Sequence, residues 1–157
     1  MKRYGIVLIA TLCLLFIGCG NQEEKVVYEC SLWGGLEYYD TSNVTEIYSK
    51  DNKNISKLHI TTSYSARWDD VDTTDLVERL NTEKDSMYHL YEQVSYEIHQ
   101  FGNNITTEQY LTLTENNLKQ LSQDEQYQQM MKKNQLPIGT YVNWMTNQNY
   151  QCQNKNS

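Results

Sequence analysis

Between residues 26 and 64 apolar and polar positions alternate, the period of a strand with one face buried. Val26-Val27-Tyr28-Glu29-Cys30-Ser31-Leu32-Trp33 is rich in β-branched and aromatic residues and stops at Gly34-Gly35, which predicts a first strand. Val44-Thr45-Glu46-Ile47-Tyr48 and residues 55–64 predict two more, and the turn formers Asp51-Asn52-Lys53-Asn54 join them in a hairpin. In the latter strand Leu58, Ile60, Thr62 and Tyr64 fall on one face, and His59, Thr61 and Ser63 on the other. The period then lengthens. Leu76, Leu80, Met87 and Tyr91, widened by Val77 and Leu90, recur at helical spacing; Thr73 or Thr74 supplies a cap, and Asp75 and Glu78 place negative charge in the first turn. This predicts a helix running to about Glu92.

A second hairpin follows. Val94-Ser95-Tyr96-Glu97-Ile98 alternates, Gly102-Asn103-Asn104 turns, and residues 105–113 return with Leu111 and Leu113 on one face. From Thr114 a Gln-rich helical stretch is predicted to reach about Asn134, where Pro137 and Gly139 break it. A short helix over residues 141–145 then leads to a final strand at Tyr150-Gln151-Cys152. The predicted fold is α+β: an antiparallel sheet of two hairpins plus a terminal strand, with helices packed on one face.

The first nineteen residues follow a different rule. Met1-Lys2-Arg3 is basic, residues 4–18 are apolar, and Cys19 follows. As a helix the apolar run reaches only about 22 Å, short of the roughly 30 Å hydrocarbon core, so it predicts an export signal rather than a span. Its end, Phe16-Ile17-Gly18-Cys19, resembles the lipobox of bacterial lipoproteins, with Phe16 where that motif prefers Leu. The resemblance implies acylation of the Cys19 thiol and cleavage after Gly18. The competing reading is an ordinary secretory signal in which Cys19 plays no part. The chain then divides into a signal at 1–18, a polar tether at 19–25, one α+β domain at 26–153 and a tail at 154–157.

Charge and cysteine content narrow the function classes. With 13 Lys+Arg against 20 Asp+Glu in 157 residues, the net charge is −7, which excludes sequence-independent nucleic-acid binding. Such an acidic body is repelled by anionic headgroups, so membrane attachment would rest on acyl chains. Of four cysteines, Cys13 leaves with the signal and Cys19 is the lipidation candidate. Cys30 and Cys152 remain, near the two ends of the mature chain. In an exported domain this pair predicts a disulfide, worth about 4 to 5 kcal/mol for so long a loop; a free reactive thiol is the alternative.

Nearly all of the mature chain resembles the small YehR-like lipoproteins of bacteria. The similarity lies in the lipobox signal, the Val44-Thr45-Glu46-Ile47-Tyr48 strand in a hairpin, the Leu-spaced helix, and the pair Val94-Ser95-Tyr96-Glu97-Ile98 and Ile105-Thr106-Thr107-Glu108. The end pattern, a short helix and then an aromatic residue two positions before a cysteine, is also similar. The resemblance implies fold and location, and brings no catalytic residues with it.

Three groupings are candidates for chemistry. His59 and His99, with Glu46 or Glu97, make a minimal zinc set, although no H-E-x-x-H spacing supports it and scattered surface histidines explain the same letters. Asp69-Asp70-Val71-Asp72 offers carboxylates for Ca²⁺ but lacks the EF-hand's Gly and distal Glu, and reads equally as a solvated lead into the helix cap. There is no G-x-S-x-G turn and no phosphate-cradling glycine loop. Tyrosine is abundant, with 13 Tyr and 3 Trp. Trp33, Tyr38, Tyr39 and Trp68 form a candidate aromatic patch for sugar faces or a protein partner, unless the tyrosines simply fill half-buried sheet positions. The reading that results is a non-enzymatic, lipid-anchored binding or scaffold module on the outer face of a bacterial membrane, without cofactor. Recognition of envelope glycan or protein by the aromatic patch is the second reading, and a metal-dependent envelope hydrolase the third.

Overall fold

The computed structural model describes residues 23–156. Its elements are β1 (Lys25–Gly35), β2 (Tyr39–Ser49), β3 (Lys57–Ala66), α1 (Thr74–Leu90), β4 (Val94–Phe101), β5 (Asn104–Thr112), α2 (Glu115–Leu121), α3 (Glu125–Met130), α4 (Ile138–Asn147) and β6 (Gln151–Asn154). The strands form one sheet in the order β4-β5-β3-β2-β1-β6, antiparallel throughout, and the fold is α+β as expected.

The first three strands form a continuous meander, more than the single hairpin expected there. β2 begins at Tyr39, ahead of Val44, although Asp40-Thr41-Ser42-Asn43 reads as polar loop. Tyr39 supplies the reason: it is only 5% exposed, and burying a ring of this size fixes the strand end regardless of the polar letters behind it. β3 starts at Lys57, not Ile55, because the Ile55 N–H donates to the Leu136 carbonyl and so leaves the ladder. α1 stops at Leu90, two residues early; Tyr91 is extended and Gln93 sits at φ 48°. Thr73 is its N-cap residue but makes no side-chain cap bond; instead the Asp72 carboxylate accepts from the Thr74 N–H at 2.9 Å and the Thr74 hydroxyl at 2.7 Å.

The Gln-rich stretch is two short helices rather than one. Asp124 ends the run by capping a new helix, accepting from the Gln126 N–H at 2.8 Å. The last helix starts at Ile138 and carries Gly139 inside it, with Pro137 as its N-cap residue. The presumed tail also belongs to the sheet. Asn154 pairs with Tyr28, and the Lys155 N–H donates to the Val27 carbonyl at 3.0 Å.

Helices cover one face of the sheet, where two cores lie end to end. The larger joins Val27, Cys30, Ile47, Leu58 and Leu111 to residues of α2, α3 and α4. The smaller gathers Tyr39 and Ile105 beneath Leu76 and Leu80 of α1. Cys30 and Cys152 are disulfide-bonded, with their Cα atoms 4.0 Å apart on paired strands β1 and β6. This settles the alternative of two free thiols. Cys19 and the 1–18 leader lie outside the described residues.

Candidate functional site

Strand register decides which loops meet. Gly35 pairs with Asp40, Tyr39 with Ala66, Tyr64 with Ile105, and Phe101 with Asn104, so the β1–β2, β3–α1 and β4–β5 connections emerge at one end of the sheet. Lys25, where β1 enters, lies at the other. Each connection is held by the backbone. Leu36 N–H donates to the Tyr39 carbonyl at 2.8 Å, closing the first turn, and Arg67 N–H donates to the Tyr38 carbonyl at 3.0 Å. The β4–β5 turn has Gly102 at φ 59°, which a II′ turn requires of its first position. From that turn Asn103 donates to the Asp69 carbonyl at 2.6 Å, and Asn104 accepts from the Ala66 N–H at 3.0 Å. The three loops are therefore braced against one another, and their geometry is set before any ligand arrives.

Between the first two loops and the start of α1 lies a cleft of about 920 Å³. Tyr38 and Trp68 are half exposed and meet edge to face, their centroids 6.5 Å apart and their planes at 68°. The two rings make a corner rather than a flat platform. Tyr39 and Leu76, both buried, contribute to the lining from the core below. Glu37, Asp70, Asp72 and Asp75 supply carboxylates, and Arg79 is the one cation of the lining. The neighbouring Glu37 carboxylate raises the Tyr38 phenol above its usual pKa. Burial raises Tyr39 more than the Asp72 charge does, while Arg79 pulls the other way. Asp72 is held below the usual carboxylate range by the side-chain and then the backbone bond from Thr74, so this carboxylate stays ionised.

The four-ring patch read from the sequence divides in three. Tyr38 and Trp68 come together at the cleft. Tyr39 is a core residue, its ring edge-on to Tyr64 at 6.4 Å, and presents no exposed face. Trp33 is 74% exposed but does not line the cleft: it pairs with Ser42, and alternation puts it on the sheet face opposite Cys30 and the helices. Leu36, Glu37 and Arg79 were not singled out by sequence reasoning, and Asp75 was read only as a first-turn charge of the helix. Asp75 and Arg79 stand at i and i+4 on α1, a spacing that marks one helix face, but nothing local says which loops that face meets.

The histidines do not converge. His59 stacks on Tyr110 at 4.0 Å, with Nδ1 at 2.7 Å from Glu46 Oε2 and Nε2 at 3.4 Å from the Thr61 hydroxyl. His99 pairs with Thr106 on β5 and has Nε2 at 3.4 Å from Glu97. Since Tyr110 is opposite His59, the two imidazoles sit four positions apart along the strands, about 13 Å, and on strands that are not neighbours. The zinc set drawn from them is therefore not assembled. Among the described residues no group of three His, Cys, Asp or Glu side chains is placed to hold a metal ion, the Asp69–Asp72 run included. Among the same residues no helix is long and apolar enough to cross a membrane. Comparison of the chain with protein-family models, curated proteins and solved structures gives no match.

Proposed function

We propose that this is a lipid-anchored, extracytoplasmic bacterial lipoprotein of the YehR-like kind, and that it works as a non-catalytic binding module. Its recognition site is the cleft at the Tyr38–Trp68 corner and its ligand is cell-envelope glycan. The reading rests on one observation: a braced, concave site with half-exposed aromatic rings at the end of the sheet farthest from chain entry. A volume of about 920 Å³ lies in the range of small-ligand clefts, and a flat protein-docking surface has no such concavity. Aromatic rings offer apolar faces for sugar C–H groups, and the surrounding carboxylates accept from sugar hydroxyls.

The orientation follows from the tether. β1 runs about 33 Å from Lys25 to Gly35, so acyl chains on Cys19 would keep the entry end at the membrane and hold the cleft outward. The disulfide suits the same oxidising compartment.

Two experiments test the reading. Radiolabelled palmitate should enter the wild-type chain and not Cys19→Ala, whereas equal labelling of both would remove the anchor. Purified envelope polysaccharide should co-sediment with the wild-type protein and not with Trp68→Ala. Undiminished co-sedimentation of the variant would take the cleft out of the account.

A further inference from the structure

We infer that the cleft selects glycan carrying free amino groups and turns away polyanionic glycan. The inference rests on the proposal that the cleft is a glycan site and adds the charge of the ligand. Four carboxylates, Glu37, Asp70, Asp72 and Asp75, face one guanidinium, Arg79. The protein around them carries a net charge of −7, so the local field and the overall field have the same sign. Within the lining the carboxylates outnumber the guanidinium, which disfavours a phosphate- or uronate-bearing polymer there.

The aromatic corner favours the same class of ligand. Tyr38 and Trp68, both half exposed, line the cleft, and an ammonium group within about 6 Å of an aromatic face is attracted by the ring quadrupole. One sugar ring stacks on an aromatic face while its amino group reaches a carboxylate beside it. Glu37 adjoins Tyr38 in the chain and both line the cleft, so charge and ring are presented together. Asp72 is fixed by its two bonds from Thr74 and needs no reordering to receive a cation. A neutral N-acetylated sugar keeps the stacking and loses the charge pairing, which makes the acetyl group the discriminating feature.

The test is calorimetric titration of the full-length chain in neutral detergent at about pH 6, where ordinary carboxylates are ionised and amines protonated. Three probes are compared: a β-linked glucosamine tetramer with free amines, the same tetramer fully N-acetylated, and diaminopentane. The expected result is free-amine tetramer bound about tenfold more tightly than the acetylated one at low salt. That preference should shrink as added salt shortens the screening length. In Glu37→Gln/Asp70→Asn, which keeps shape, leaves the α1 cap intact and removes two of the four carboxylates, the preference should fall by at least half on a logarithmic scale. A melting curve matching wild type confirms that this variant is folded. Equal affinity of the wild type for both tetramers overturns the charge inference and leaves the glycan site standing. Diaminopentane binding as tightly as the free-amine tetramer overturns it as well, because the sugar then contributes nothing. If none of the probes binds, both the inference and the glycan reading fall.

Discussion

The two ends of the sheet are built to different specifications. At the entry end, β1, β2, β3 and β5 are covered by α2, α3 and α4, the Cys30–Cys152 bridge ties β6 to β1, and Val27, Leu136 and Met145 are almost wholly enclosed. At the loop end, α1 alone covers a core of four buried residues, and the large apolar groups above it stay in solvent. Polar groups divide in the same way. Asn117, buried at the entry end, donates to the carbonyls of Glu92 and Thr112 at 2.6 and 2.7 Å and accepts from the Glu92 N–H at 3.0 Å. That one side chain locks the start of α2 to the α1–β4 connection and to the end of β5. At the cleft, by contrast, carboxylates and ring faces are left accessible to a ligand. The larger core lies near chain entry and the cleft lies away from it, so the two are separable by mutation.

The largest effect expected is at the bridge. Cys30→Ser/Cys152→Ser should lose about 4 kcal/mol in denaturant unfolding, because the unfolded chain regains the freedom of a loop that nearly spans the domain. A loss below about 1 kcal/mol would show that the entry end does not depend on it. Next come matched core truncations. Leu58→Ala at the entry end and Leu80→Ala under α1 each remove a nearly enclosed leucine. Both should cost about 2 to 5 kcal/mol, with Leu58 the costlier, since packing on all sides there prevents collapse of the cavity. The reverse order would contradict the account of two unequal cores.

A smaller, pH-dependent contribution belongs to the β2–β3 turn. Asp51 accepts from the N–H groups of Lys53 and Asn54, each at 2.8 Å, and from the Ser49 hydroxyl at 3.1 Å. The Asn54 backbone bond is the largest cause of its pKa falling to about 2 from 3.8. The folded value is the lower one, so this stabilisation is complete above about pH 4 and disappears as pH falls towards 2. Because Asp51 is exposed, solvent screening keeps the effect below about 1 kcal/mol. Asp51→Asn should flatten that part of the stability–pH profile measured by thermal melts. Asp72 and Glu92, both also lowered, leave a residual slope in the same region. Smallest of all is the expected effect of Trp68→Ala on stability, within about 0.5 kcal/mol for a half-exposed ring, although the same change should abolish glycan binding. Loss of stability and binding together would mean that the ring is structural.

Much of the fold could be read from residue order, because period and turn chemistry act locally. The Leu76–Leu80 stripe, the Asp51–Asn54 turn and the Gly102 turn each announce themselves within a few residues. Where reading failed, a distant group decided the outcome. Ile55 looks like strand until Leu136 supplies its backbone partner, and Asp40–Asn43 looks like loop until Tyr39 is buried under α1. Of the four rings read from the sequence, two meet at the cleft as exposed groups. Tyr38 and Trp68 could be singled out as aromatic residues beside strand ends, but the partition of Trp33 and Tyr39 to opposite faces depends on register. Asp75 and Arg79 enter the cleft only through the packing of α1, which no short-range pattern reports.

The most direct test of this polarity is amide hydrogen exchange on the full-length chain, with and without the free-amine glucosamine tetramer. The account predicts slowest exchange in β1, β2 and β3 near the disulfide, and ligand-induced protection limited to residues 36–39 and 68–79. Protection falling instead on the open sheet face around His59 and Tyr110, or no change anywhere on the chain, would contradict it.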